Sequence, residues 1–274
     1  LAANIGDNRQ LNTHLLPGLD PNGVPENLSG TTLPFKYNDI TALRTVIEKA
    51  GSDLAAIIME PHGVTAAPEP GYLEEVKKLA HDAGAALIFD EITSGWRMNT
   101  GGVHMTLGVT PDVAVYAKCI SNGYPMAAII GTRDVMEAAQ VSFISSAYWT
   151  ESVGPAAALA TLKKHRRENV GDYLIAYGNS LDKGWKTAAA EAGLDIKTYG
   201  MAPQRGFSFV HDDPNGLTTL FTQEMLARGF IAIPRVFSTF AHNQKHLEQY
   251  FDTIVDVFAI LAAAIKNDDI RSRL

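Results

Sequence analysis

The chain has 274 residues, 46% of them hydrophobic, with a formal net charge of -7 and a pI of about 5.6. Its length allows one or two domains with a substantial core, and its excess of acid offers no general attraction to nucleic acid or anionic lipid. No apolar run approaches the length that spans a bilayer, no signal peptide is visible, and the single cysteine, Cys119, fits a reducing compartment. We therefore expect a cytoplasmic protein without a nucleic-acid or membrane partner.

The first elements in the chain alternate between loop, helix and strand. Residues 4–36 are rich in Gly, Pro, Asn and Asp, which predicts surface loops. A helix begins at Asp39, a plausible N-cap, and a strand at Ala55–Met59 ends in Glu60. An amphipathic helix follows at Gly71–Ala83. This alternation is typical of a parallel α/β sheet.

Three short apolar runs then predict buried strands. The run Ala86–Phe89 ends in an Asp-Glu pair that begins at Asp90, and the run Val113–Ala117 ends in Lys118. A Ser-Asn-Gly-Tyr-Pro turn separates the second run from the third, Met126–Ile130. Open parallel sheets bind ligands at the carboxyl ends of their strands, so we expect Asp90 and Lys118 to lie at one site.

The remainder of the chain predicts more helix and a second region of mixed structure. An Ala-rich helix is followed by a long helix that Gly193 ends. The predicted elements are helices at Ala156–Lys164, Asp172–Ala192, Leu217–Arg228 and Gln244–Ile265, and strands at Ile196–Tyr199, Phe207–Val210 and Ile231–Ile233. This order predicts a large domain over residues 1–168 and a small α+β domain over residues 169–274.

The residues at the two strand ends suggest a particular chemistry. A lysine carried on a Gly-rich turn can be desolvated, which frees its amine to form a Schiff base, and an aspartate can pair with a protonated pyridine nitrogen. Pyridoxal phosphate (PLP) requires both groups from a protein. The Asp90-Glu91 pair is also typical of a Mg²⁺ site in nucleotide hydrolases, but these residues contain no G-x-x-x-x-G-K-[ST] phosphate loop.

Several motifs from Asp90 onward resemble a known family in their order and spacing. IFDEITSGWR, a Gly-Gly pair, LGVTPD, AK and NGYPMAAIIG follow one another as in the class III aminotransferases of PLP fold type I, especially the branch similar to glutamate-1-semialdehyde aminomutase. The resemblance implies a mostly parallel large domain and a small C-terminal domain. The family's phosphate-gripping turn and ring-stacking aromatic residue are not found, so we expect a chain that lacks its N-terminal part and is an incomplete enzyme alone.

The resemblance also implies roles for individual residues. Lys118 would hold the cofactor as a Schiff base and move protons, Asp90 would pair with the ring nitrogen, and Ile92 would pack on the ring face. Thr150 would reach the cofactor phosphate of a partner subunit, which implies a homodimer with shared active sites. The match at Thr150 is partial, because Glu151-Ser-Val-Gly-Pro replaces the usual Ser-Gly-Asn-Pro, and a helix-cap hydroxyl is the alternative. No metal ligand is expected.

Two further charged residues lie near these motifs. Glu60 either contacts the site or makes a structural hydrogen bond at its strand end. For Arg97 a structural ion pair is favoured over a clamp for a substrate carboxylate.

On this resemblance the leading function is PLP-dependent amino transfer between a small amino donor and an oxo acceptor. The alternative is the intramolecular transfer of a glutamate-1-semialdehyde 2,1-aminomutase. Ser121-Asn122-Gly123 replaces the triple Gly of that enzyme, which favours an aminotransferase. A chain that has lost catalysis and survives as an interaction module is a third possibility.

Overall fold

The fold is described from a computed structural model, which covers residues 30–146 and 150–274. The loop predicted over residues 4–36 therefore lies mostly outside the described residues. Helix α1 (Ile40–Ala50) begins as predicted, because the Asp39 carboxylate accepts a hydrogen bond from the amide of Ala42 at 2.9 Å. The helix buries Leu43 and leads into the first strand.

Four strands form one sheet whose spatial order is the order of the chain. Strands β1, β2 and β3 are parallel, and β4 is antiparallel to β3. Helix α2 connects β1 to β2, and the short helix α3 lies between β2 and β3. The bounds are β1 Ala56–Met59, α2 Tyr72–Asp82, β2 Ala86–Asp90, α3 His104–Leu107, β3 Val113–Tyr116 and β4 Ala128–Gly131.

The reversal at β4 has a simple cause. A parallel connection needs a crossover of a dozen or more residues, usually a helix, whereas the segment between β3 and β4 is a 3₁₀ turn followed by a tight turn. The predicted parallel α/β sheet is thus confirmed for three strands, and the fourth closes it in the opposite direction.

The second half of the described chain is mainly helical. Two long helices, α6 and α8, pack against each other and against a two-stranded antiparallel sheet. Gly193 ends α6 in the left-handed conformation, as predicted. The bounds are α4 Arg133–Met136, α5 Val153–Arg167, α6 Val170–Ala192, β5 Ile196–Tyr199, β6 Gly206–Phe209, α7 Pro214–Ala227 and α8 Gln244–Lys266.

The strand predicted at Ile231–Ile233 is wrong. Ile231 is 99% exposed, and Ile233 makes one isolated bridge, with Arg235. Pro234 has no amide hydrogen to donate, so this segment cannot continue a ladder of hydrogen bonds.

Two larger clusters of buried side chains stabilise the structure. One joins α1 and α2 to the inner face of β1 and β2 and includes Leu43, Val76 and Phe89. The other lies among α6, β6, α7 and α8 and includes Trp185 and Phe207. The two clusters share no residue. The predicted domain boundary at residue 168 stays a prediction. No helix within the described residues is both long and apolar enough to cross a membrane.

Candidate active site

Three charged side chains gather where the parallel strands end. The register pairs Met59 of β1 with Phe89 of β2, so Glu60 and Asp90 follow at the same edge of the sheet. Val115 of β3 pairs with Asp90, and Lys118 lies just beyond the end of β3. The expected proximity of an acid and a lysine is therefore observed.

Lys118 sits on a backbone that orients its side chain. Its φ of 51° lies in the left-handed region, which non-glycine residues rarely adopt outside turns and functional sites. Its Nζ donates a hydrogen bond of 2.6 Å to the hydroxyl oxygen of Thr93. The sequence predicted a desolvated lysine, but the Lys118 side chain is exposed in the described structure, because no described element packs over its amine.

The side chain of Asp90 is half-buried and has one hydrogen bond within the described residues. One of its oxygens, Oδ1, accepts a hydrogen bond from the amide of Ile92 at 2.9 Å. Ile92 is also half-buried and follows the strand end, so the structure brings Asp90 and Ile92 together. Burial raises the pKa of Glu60, and the negative charge of Asp90 raises it further, which shows that the two carboxylates share one environment.

Glu91 faces the opposite way from Asp90 and has a different task. It is 0% exposed. Its oxygens accept hydrogen bonds from the amides of Val103 (3.0 Å) and His104 (2.9 Å), from His104 Nδ1 (2.9 Å) and from the Ser94 hydroxyl. Burial alone would raise the pKa of Glu91, but these donors hold it below its usual value. With both oxygens engaged, Glu91 cannot join Asp90 on one metal ion, which removes the basis of the Mg²⁺ interpretation.

Thr93 connects several parts of the site and was missed from the sequence. Its hydroxyl holds Lys118, and its carbonyl oxygen accepts hydrogen bonds from Arg97 Nε at 2.8 Å and from the side-chain amide of Gln204. Gln204 is 111 residues away along the chain. No local pattern predicts such a contact, because it depends on how the second half of the chain packs on the first.

Arg97 does not form the predicted ion pair. No carboxylate of the described residues lies within ion-pair distance of Arg97, and its guanidinium lies 5.2 Å from the ring centre of Phe237. Arg235, also missed from the sequence, lies 4.7 Å from the centre of the same ring. Among the described residues its buried Nε has no hydrogen-bond partner. The only hint in the sequence was its place just before the motif Phe237-Ser-Thr-Phe-Ala-His.

Thr150 begins the described segment that leads into α5. It is exposed, and no described contact joins it to Lys118, Asp90 or Ile92. The first turn of α5 is capped by Glu151, whose carboxylate accepts hydrogen bonds from the amides of Val153 and Gly154. The helix-cap role considered for Thr150 therefore belongs to its neighbour.

The described residues also enclose a cavity of about 550 Å³. Its walls include Trp96, Tyr116 and Ile130, but neither Lys118 nor Asp90. Tyr116 is buried and on the opposite face of β3 from Val115, the residue that pairs with Asp90. The predicted site residues Asp90 and Lys118 therefore do not line this cavity.

Comparisons with known proteins agree on one family. Residues 19–258 match the family model "Aminotransferase class-III". The chain is 34% identical over 201 residues to a 3-aminobutyryl-CoA aminotransferase of Cloacimonas acidaminovorans, covering 71% of this chain and 48% of that protein. It is 36% identical over 248 residues to a glutamate-1-semialdehyde 2,1-aminomutase of Syntrophobacter fumaroxidans, covering 82% and 57%.

Solved structures show the same relationship in three dimensions. The FumI protein of Sphingopyxis sp. MTA144, in its PLP internal aldimine form, superposes with a TM-score of 0.83 at 25% identity, covering 89% of this chain and 61% of that one. An omega-transaminase from Sphaerobacter thermophilus gives a TM-score of 0.80 at 22% identity, covering 90% and 60%, and supports the fold alone. The chain spans about half to three fifths of the length of these relatives.

Proposed function

We infer, because this chain belongs to the class III aminotransferase family and has the type I fold of PLP-dependent transferases, that it carries out amino transfer with PLP. The observation that carries this proposal is that Asp90, at the end of β2, and Lys118, just beyond the end of β3, lie at one edge of the sheet. The groups at this edge suit PLP chemically. They are the primary amine of Lys118, the carboxylate of Asp90, one oxygen of which has no described hydrogen bond, and the apolar side chain of Ile92.

PLP, when bound, supplies a ring that withdraws electrons from the carbon bearing the amino group. In our proposal Lys118 is the point of covalent attachment, and its released amine carries a proton between carbon atoms of the substrate and cofactor. Asp90 places a negative charge against the ring nitrogen and keeps it protonated. Ile92 packs on the face of the ring. Thr93 holds the Lys118 amine at the strand edge when the amine is free.

The assembly we propose is a homodimer of twofold symmetry. An apolar surface supports it, because Phe143 is 98% exposed and Ile144, Val153 and Leu159 are also exposed, on both sides of Thr150 in sequence. A second copy that covered these side chains would remove their apolar area from water. A second copy that covers this surface would bring Thr150 to a neighbouring active site, where its hydroxyl would bind the cofactor phosphate.

The substrates we propose are a small amino donor that carries a carboxylate and a small oxo acceptor. The guanidinium groups of Arg97 and Arg235, which have no ion-pair partner among the described residues, support this choice. A buried guanidinium is tolerated when it forms an ion pair with an anion, here the substrate carboxylate. The lone free cysteine, Cys119, supports a cytoplasmic location.

The alternative is an aminomutase, which returns the amino group to a neighbouring carbon of the same molecule. The likeness to the Syntrophobacter fumaroxidans aminomutase favours it, while the Ser-Asn-Gly turn after Lys118 favours the aminotransferase. Mass analysis of the products after incubation with a ¹⁵N-labelled donor and an unlabelled oxo acid separates the two. Label in a new amino acid indicates transfer between molecules, whereas an isomer of the donor that carries the amino group on the neighbouring carbon indicates mutase chemistry.

A direct test addresses the attachment site. Full-length protein loaded with PLP is reduced with borohydride, digested and mapped by mass spectrometry. We expect the pyridoxyl group on Lys118. Attachment at another lysine, or none on protein that has bound PLP, would overturn the proposal. Lys183, an exposed lysine on α6 away from the sheet edge, is the internal control and should stay unlabelled.

A further inference from the structure

Gln204 is a buried polar residue that the proposed chemistry does not use. It ends the 3₁₀ turn Ala202–Gln204, just before β6, and is 5% exposed. Its side-chain amide donates a hydrogen bond to the carbonyl oxygen of Thr93, on the loop that follows β2. This hydrogen bond joins the two halves of the chain. Burying an amide costs free energy unless the amide is hydrogen-bonded, so the bond to Thr93 is needed to keep Gln204 in this position.

The turn that carries Gln204 is held on two sides. Helix α6 lies so close to it that a Cβ built on Gly178 would be 1.8 Å from the carbonyl oxygen of Ala202. On the other side, the amide of Ser238 donates a hydrogen bond of 2.9 Å to the carbonyl oxygen of Pro203. The side chain of Gln204 therefore extends from a rigid base.

The partner of Gln204 is also the residue that holds Lys118. The hydroxyl of Thr93 is 2.6 Å from Lys118 Nζ, and this is the one hydrogen bond of that amine within the described residues. Lys118 has a left-handed φ, which non-glycine residues rarely adopt outside turns and functional sites. A shift of Thr93 would consequently move the amine, or leave it without its acceptor.

We propose that Gln204 is a positioning residue, which acts through Thr93 to keep the amine of Lys118 at the strand edge. The α6–β6 part of the chain would then determine the position of the reacting amine without contacting substrate. The expected effect on turnover rests on the proposed function. The expected position of the Lys118 amine does not, because it can be measured on protein without PLP.

The test begins with chemical labelling of the free amine. Full-length protein without PLP is treated with trinitrobenzenesulfonate at fixed pH, and labelling of Lys118 is followed by peptide mass mapping. Thr93→Val and Gln204→Leu should label Lys118 roughly 3- to 10-fold faster than the parent protein, because each frees the amine from its acceptor. Thr93→Ser, which keeps the hydroxyl, should label at the parent rate. Gln223→Leu, which removes a Gln-to-carbonyl bond on α7, is the matched control.

Turnover provides the second measurement. With PLP bound, Gln204→Leu should lower kcat roughly 10-fold and change KM little, because a displaced amine slows the chemical step more than substrate binding. Unchanged labelling of Lys118 in Gln204→Leu would overturn the inference, even if that variant were less stable. If borohydride places no pyridoxyl group on Lys118 while the labelling rates change as expected, the proposed function fails and the positioning role of Gln204 stands.

Discussion

At the scale of single residues, the Asp90-Glu91 pair shows how two adjacent carboxylates acquire different roles. The pleat of β2 turns Asp90 to one face and Glu91 to the other. Asp90 keeps an oxygen for a ligand, whereas Glu91 is buried and ties the loop after β2 to α3. The structure thus gives Glu91 a supporting role in the loop after β2.

The free energy of unfolding at acid pH should depend on the ionisation of Glu91. Its pKa is lower in the folded protein than the ordinary value of 4.5, so its stabilisation is fully present above that value and is lost as pH falls through the folded pKa. Glu91→Gln should cost about 1–3 kcal/mol near pH 7, because an amide cannot accept from all four donors. The variant should also lose less stability than the parent between pH 5 and pH 3 in urea unfolding.

Asp90→Asn is the matched comparison for that experiment. In this variant turnover should fall on the order of 100-fold or more, since the ring nitrogen loses its charged partner. The assignments of the two carboxylates would be contradicted if Asp90→Asn kept near-normal turnover, or if Glu91→Gln abolished turnover in protein that was still folded.

Arg235 allows a test of the proposed substrate class. The parent protein should prefer 3-aminobutanoate to 2-aminobutane, which has a methyl group in place of the carboxylate. Arg235→Met should lower kcat/KM for the acid roughly 10- to 100-fold and leave the amine nearly unaffected, because one charge-assisted contact is lost. Stopped-flow absorbance of the first half-reaction measures both.

Two controls accompany that comparison. Arg133→Met changes an exposed arginine just after Gly131, which pairs with Val113 at the far edge of the sheet from Lys118, and should alter neither rate. The affinity for PLP should be the same in Arg235→Met and the parent. A matched fall in PLP affinity would mean that Arg235 binds the cofactor phosphate and not the substrate.

At the scale of elements, local patterns predicted helices and buried strands well. Capping at Asp39 and Gly193, and the apolar runs that became β2 and β3, depend on neighbours in the sequence. The segment Ile231–Ile233 was wrong because β propensity alone cannot show whether a strand has a partner. In the candidate site, the proximity of Asp90 and Lys118 could be predicted because both follow the ends of strands. Thr93 was missed because its role depends on packing between distant parts of the chain.

Gly102 lies in the loop between β2 and α3, where the backbone is closely packed against other residues. A Cβ on Gly102 would lie 2.5 Å from His104 Nδ1 and 2.6 Å from both Glu91 Oε1 and Tyr116 Oη. Gly102→Ala should therefore cost about 1–3 kcal/mol by overpacking and separate Glu91 from His104. Gly84→Ala, which adds a methyl group in open space at a φ of +71°, should cost about 1 kcal/mol from strain. If urea unfolding showed an equally small loss of stability in Gly102→Ala and Gly84→Ala, the loop would be able to relax around the added methyl group.

At the scale of the whole molecule, the exposed apolar surface beside Thr150 makes assembly testable. Phe143→Asp places a charge where a second copy is expected, so sedimentation should show monomers, and PLP should dissociate more readily. Ile231→Asp changes an equally exposed apolar residue elsewhere and should leave the dimer intact. A parent protein that is monomeric and active with PLP bound would contradict the shared site.

The order of the strands in the larger sheet also bears on how the protein is made. Each of its four strands pairs with its neighbour in the chain, so every strand after β1 emerges from the ribosome with its partner already synthesised. The sheet can grow from one side by successive additions, and each addition closes only the loop of one connection. Within the described residues no strand of this sheet pairs with a distant segment of the chain. Pairing within the sheet can thus proceed during translation, while the contact between Thr93 and Gln204 forms only after the later half has been synthesised.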